Sequence, residues 1–124
     1  MAPQEKRQPR GTVRVPFVSR CILDFEGAAG ASAYVVNINV LGAYVSFDQM
    51  PHLGQAVRCR VRMPDTEREL EIEGVVAWVN PRQQHPVHSL PPGFGVSFRN
   101  LSDENRRAIE TLVDEYVARH PGLR

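Results

Sequence analysis

The sequence predicts an all-β protein, a six-stranded antiparallel β-barrel with a single C-terminal α-helix. Three observations predict it. The chain has 124 residues, 42% of them hydrophobic and 23% charged, which suits one domain with a continuous core and no covalent staples. Apolar residues alternate with polar ones through most of the chain, the period-two pattern of half-buried strands. Only the last segment changes to helical spacing.

The elements follow in order. Residues 1–11 contain Pro3, Pro9 and Gly11 among polar side chains and read as a flexible arm. The domain proper is expected over 12–118. Val13 to Phe25 is strand-like, with Pro16 marking an edge or a bulge. Gly27 to Gly30 makes a turn, and Ala33 to Ile38 and Ala43 to Phe47 are the next two strands. Asn39-Val40-Leu41-Gly42 joins them as a tight corner, since Asn and Gly tolerate the backbone angles a corner needs.

The hairpin that comes next is the most explicit element. Val57, Cys59, Val61 and Met63 alternate with Arg58, Arg60 and Arg62, and beyond Pro64-Asp65-Thr66, Leu70 and Ile72 alternate with Glu69, Glu71 and Glu73. Folding about Asp65 and Thr66 sets Arg62 opposite Glu69, Arg60 opposite Glu71 and Arg58 opposite Glu73. Such pairs contribute roughly 0.2–1 kcal/mol each and fix register more than stability. The arginine stripe therefore reads as a charge-paired outer face, not a nucleic-acid groove. Gly74 is expected to mark a bulge, with Val75 to Val79 continuing as an apolar strand that buries Trp78.

Asn80 to Pro92 is a loop, and Gly93 to Phe98 is the last strand. A helix is expected over about 102–118. Ser102 is its N-cap, with Asp103 and Glu104 in the first turn, where they favour the helix dipole. Ile109, Leu112, Val113, Tyr116 and Val117 form its apolar face, and His120-Pro121-Gly122 ends it.

The net charge of +1 conceals an asymmetry. Residues 1–20 carry Lys6, Arg7, Arg10, Arg14 and Arg20 against Glu5 alone, a net of +4, and the other residues hold 10 cations and 13 carboxylates, a net of −3. Positive charge gathered at one end suits a compact anionic ligand rather than a nucleic-acid polymer. Single-stranded nucleic acid also calls for exposed aromatics, and the few aromatics here fall mostly on apolar strand faces.

The residues offer no constellation for catalysis, so the expectation is a binding protein and not an enzyme. His85 and His88 form an H-x-x-H in the loop, but two histidines without further ligands do not hold a metal. No serine has a nucleophile-elbow context, and no glycine-rich loop precedes a helix. Cys21 and Cys59 lie in apolar runs and read as reduced core thiols of a cytoplasmic protein, a single disulfide between them being the alternative. Neither a signal peptide nor a run of about 18 apolar residues is present, so no membrane insertion is expected.

Two segments taken together resemble the PilZ domain family. Lys6-Arg7-Gln8-Pro9-Arg10, followed by Val15-Pro16-Phe17, resembles the family's arginine-bearing arm, R-x-x-x-R. Asn37-Ile38-Asn39-Val40-Leu41-Gly42 resembles its [D/N]-x-S-x-x-G corner between two strands. The likeness extends over about residues 5–118.

The resemblance implies a six-stranded PilZ-like barrel and, as in many members, binding of cyclic di-GMP. It carries the ligand contacts to Lys6, Arg7, Arg10, Asn37, Asn39 and Gly42. Lys6 stands at the first arginine position and lacks the planar fork that grips guanine or phosphate. Asn39 stands where serine is expected. A second register pairs Arg10 with Arg14, restoring two forks. The implied function is an effector whose arm is ordered by the nucleotide, changing its contact with a protein partner. The protein would then be a monomer or a ligand-bridged dimer with no cofactor. The alternative is a PilZ-type protein-interaction adaptor that binds no nucleotide.

Overall fold

The computed structural model describes residues 10–64, 67–81 and 90–123. Six strands run in chain order: β1 (Val15–Phe25), β2 (Ala28–Ile38), β3 (Gly42–Ser46), β4 (Ala56–Arg62), β5 (Glu69–Asn80) and β6 (Gly93–Arg99). The helix α1 (Asp103–Arg119) and one 3-10 turn (Pro121–Leu123) follow. The strands close into an antiparallel barrel in the order β1-β2-β3-β6-β5-β4. Closure leaves no strand at the end of an open sheet, where unpaired backbone would invite aggregation.

The β4–β5 hairpin has the expected register, with Arg58 facing Glu73, Arg60 facing Glu71 and Arg62 facing Glu69. The side chains pair less regularly than the backbone. Arg58 reaches Glu71 at 3.5 Å and Glu73 at 3.7 Å, while Arg60 turns to Asp24 on β1 at 3.5 Å. The turn between β1 and β2 is shorter than expected. It uses Glu26 and Gly27, and Ala28 already belongs to β2. Gly30 follows with φ +80°, its N–H donating to Asp24 Oδ1 at 2.8 Å, at a register shift in the pairing. A left-handed glycine suits such a bulge because it has no Cβ to clash.

Gly74 is regularly paired with Val57 and Phe98, so it marks no bulge. It is small because a Cβ there would meet Val96 Cγ1 at 2.5 Å and Ser97 O at 2.7 Å. The bulge lies three residues on. Val76 pairs with Val96 and Trp78 with Gly95, which leaves Ala77 as the extra residue. One extra residue reverses the face of all that follows it. Trp78 therefore points outward and is 45% exposed, contrary to its expected burial.

The interior is filled from every strand, with Leu23, Ile38, Leu70 and Phe94 almost wholly excluded from solvent. Each such side chain contributes roughly 1.5–3 kcal/mol through burial. Phe25, Phe47 and Phe94 meet with ring centroids 6.1–6.3 Å apart. Cys21 and Cys59 are free thiols buried in this core, and burial pushes both up to about 12.

Ser102 caps α1 as expected, its Oγ accepting from Asn105 N at 3.0 Å. Ile109 and Val113 complete the core, with Leu112, Tyr116 and Val117 partly buried beside them. The start of α1 is tied to the β4–β5 hairpin. Asn105 Nδ2 donates to Glu71 O at 3.0 Å, and Arg68 pairs with Glu104 at 2.7 Å.

Candidate ligand-binding cleft

The corner between β2 and β3 is built around Asn39, the one buried polar residue among those described. Its Oδ1 accepts from Leu41 N at 2.9 Å and Gly42 N at 3.0 Å, and its Nδ2 donates to Thr12 O at 2.8 Å. The side-chain amide thus stands in for a strand partner on both sides, which satisfies backbone groups that a tight corner would otherwise strand. Asn39 faces inward and shapes the corner. Gly42 is demanded by packing, because a Cβ there would come within 2.1 Å of Val96 O on β6.

The chain before β1 is held against this corner. Val40 N donates to Gly11 O at 2.9 Å. Gly11, at φ +80°, is buried so tightly that a Cβ would meet Val40 Cγ1 at 2.5 Å and Glu110 Cγ on α1 at 2.9 Å. Arg10 and Gly11, assigned from the sequence to the end of the arm, are therefore fixed between corner and helix. Lys6 and Arg7 lie outside the described residues.

The two arginines flanking this segment diverge. Arg10 extends along α1, where Nη2 lies 2.6 Å and Nε 3.0 Å from Asp114 Oδ2, and Nη1 lies 3.3 Å from Glu110 Oε1. These carboxylates, Asp114 foremost, raise its pKa further. Arg14 points the other way and donates from Nη1 to Asn37 Oδ1 at 2.8 Å. Partial burial lowers its pKa from the usual value. An arginine still keeps its charge at any physiological pH, so a desolvated cation sits beside the corner.

Arg14, Asn37 and Gly42 line one outward cleft of about 350 Å³ with Tyr44, Trp78, Gly95 and Ser97. The indole of Trp78 lies over Gly95, where any Cβ would come within 2.1 Å of its Nε1. It stacks on Tyr44 with centroids 5.2 Å apart at 29°. Tyr44 is held in turn, since its hydroxyl donates to Pro91 O and accepts from Asn80 Nδ2 at 3.0 Å. The cleft therefore offers a guanidinium and an amide at one end and a flat aromatic face at the other.

Of the residues expected at a site, Arg14, Asn37 and Gly42 are gathered here, Asn39 lies behind them, and the Arg10 side chain is turned away onto α1. Trp78, Tyr44 and Gly95 were not expected. The unbroken apolar run Val75–Val79, following a strict Leu70–Glu73 alternation, was the available signal that the pattern breaks. His85 and His88 lie outside the described residues, and among those described no three His, Cys, Asp or Glu side chains could together hold a metal ion. Nor is any described helix long and apolar enough to cross a membrane.

A family model for the PilZ domain matches residues 4–115, nearly the whole chain. The chain belongs to the PilZ domain family. A solved structure, that of the Bacillus subtilis inhibitor of motility (MotI/DgrA), is similar with a TM-score of 0.70 and 20% sequence identity. The match covers 96% of this chain and 57% of that one, so the PilZ domain described here spans little more than half that protein's length. At this identity the likeness is one of fold. No curated protein matches the chain. Within this PilZ domain Gly11 and Thr12, which follow Arg10, are neighbours of the Asn-to-Gly corner, as the hydrogen bonds from Val40 and Asn39 require.

Proposed function

We propose that this PilZ domain is a non-catalytic effector that binds cyclic di-GMP in the cleft between Arg14 and Trp78. The observation that carries the proposal is the Arg14–Asn37 pair at the rim of a cleft whose other wall is an exposed indole. Cyclic di-GMP presents two phosphates and two guanines. A guanidinium can fork onto a phosphate or onto guanine O6 and N7, and an exposed indole can stack a base at roughly 1–3 kcal/mol. Gly95 lets the indole of Trp78 lie flat on the sheet, where it forms that wall of the cleft.

Arg14 lines the cleft, whereas Arg10 is turned onto α1, and the amide of Asn39 is already spent inside the corner. In the proposal Arg10 exchanges Asp114 and Glu110 for the ligand, joined by Lys6 and Arg7. Its release from α1 alters the surface offered to a protein partner in the cytoplasm. The functional unit is then a monomer or a ligand-bridged dimer.

One observation favours the nucleotide-independent adaptor as a second reading. Arg10 already has two carboxylate partners, which any ligand must displace. Isothermal titration at low salt separates the two. Saturable binding of cyclic di-GMP, weakened tenfold or more by Arg14→Ala, is expected for the effector. Absence of saturable heat at roughly 100 μM nucleotide would discard it in favour of the adaptor.

A further inference from the structure

The outer face of β1 carries an arrangement that barrel stability does not explain. Elsewhere on this face each arginine meets a carboxylate, Arg60 with Asp24 and Arg58 with Glu71 and Glu73. Arg20 and Arg62 make no such ion pair, although Glu69 stands opposite Arg62 in the β4–β5 register. The β1–β4 register sets Cys21 against Val61, which places Arg20 beside Arg62 one step further along. Ser19 Oγ donates to Arg62 O at 2.6 Å and holds the strands together at that point. Both arginines are exposed, and neither makes an ion pair with a described carboxylate. Like charges side by side across a strand pair are destabilising.

Apolar surface accompanies the two cations. Tyr34 is the cross-strand neighbour of Arg20 and is 50% exposed. Val18, thrown outward by the irregularity between Pro16 and Ser19, is 75% exposed. Adjacent unpaired guanidiniums rimmed by exposed apolar groups are a pattern of protein–protein contact, where arginine and tyrosine are enriched.

We propose that Val18, Arg20, Tyr34 and Arg62 form a docking face for a protein segment bearing adjacent carboxylates next to an apolar residue. Charge complementarity selects this occupant. The carboxylates meet Arg20 and Arg62, and the apolar residue covers Val18 and Tyr34. An extended anionic membrane surface would also meet Glu69, Glu71 and Glu73 in the next outward row, whereas a short acidic segment can lie along Arg20 and Arg62 without reaching Glu71 and Glu73. A small anion would leave the apolar rim uncovered. The face is independent of the nucleotide cleft and does not rest on the proposed function.

The test is an amide-shift NMR titration of the full chain with an eight-residue synthetic peptide that carries two adjacent Asp followed by Leu in an otherwise Gly/Ser sequence. Expected are saturable shifts centred on Val18, Arg20, Tyr34 and Arg62, weaker at higher salt. Affinity should drop at least fivefold in the double variant Arg20→Gln/Arg62→Gln and in Val18→Ser, with thermal midpoints confirming that both fold. The Arg14→Ala variant should bind the peptide normally. The proposal is overturned by no shifts at millimolar peptide, by shifts centred on Arg14, or by equal binding of a peptide with Gly in place of Leu. It is equally overturned if phosphatidylglycerol vesicles bind through these residues, or if the shifts follow protein concentration alone, which would assign the face to a membrane or to a second copy.

Discussion

Arg10 and Asp114 are 104 positions apart in the chain, yet Arg10 Nη2 and Asp114 Oδ2 stand 2.6 Å apart, so the segment entering the barrel is bound to the helix that leaves it. The pair is exposed, and screening by water and salt makes such pairs weak contributors to stability. Arg10→Ala is therefore expected to leave the thermal unfolding midpoint almost unchanged. If Arg10 transfers to cyclic di-GMP as proposed, the same substitution weakens nucleotide binding tenfold or more, because a charge-assisted bond is lost. A calorimetric titration beside a melting curve reads both effects. Unchanged affinity would assign Arg10 to the helix alone.

Trp78 is the only tryptophan in the chain, so intrinsic fluorescence reports directly on the cleft. Saturable quenching by cyclic di-GMP is expected as a base covers the exposed indole. Trp78→Ala should weaken binding about fivefold or more, since base stacking contributes roughly 1–3 kcal/mol. It should leave the barrel folded, because the indole lies on the outer face. A loss of cooperative unfolding in this variant would mean that the stack on Tyr44 is structural.

Asn39 and Gly42 should matter first for the fold. Asn39→Ala strips a donor from Thr12 O and an acceptor from two backbone N–H groups, a loss of roughly 2 kcal/mol or more. Gly42→Ala forces a methyl against Val96 O, for which overpacking costs of about 1–3 kcal/mol are usual. Urea denaturation measures both. Asn39→Asp is the informative intermediate, because it keeps the acceptor for Leu41 and Gly42 but loses the donor to Thr12.

The buried thiols give a pH prediction. Cys21 and Cys59 have folded-state values of about 12, raised by burial above those of an unfolded chain. The folded state therefore keeps its protons where the unfolded state loses them. Their contribution to stability is fully present below about pH 9 and is lost progressively as pH rises from there to about 12. The urea midpoint should fall across that window, and less steeply in a Cys21→Ala/Cys59→Ala variant. Neither thiol should react with an aromatic disulfide reagent at pH 8 until the protein is unfolded, since burial blocks access and thiolate formation alike.

The sequence itself determined what depends on neighbours along the chain. Alternation fixed the β4–β5 register, Arg58 to Glu73 included, because a one-residue slip would expose Val57, Cys59 and Val61. Ser102, Asp103 and Glu104 set the start of α1 through local hydrogen bonding and the helix dipole. Asn39 and Gly42 marked the corner, where Asn39 bonds the backbone locally.

Only the tertiary structure decided what those residues face. A single extra residue at Ala77 turned Trp78 out of the core, and period-two reading has no means of locating a bulge inside an apolar run. Arg10 was committed to Asp114, and Arg14 to Asn37, by barrel closure and the return of α1 past the corner. Alternation records which side of a strand is buried, whereas a binding surface is assembled from the outward sides of strands that meet only after the sheet has closed.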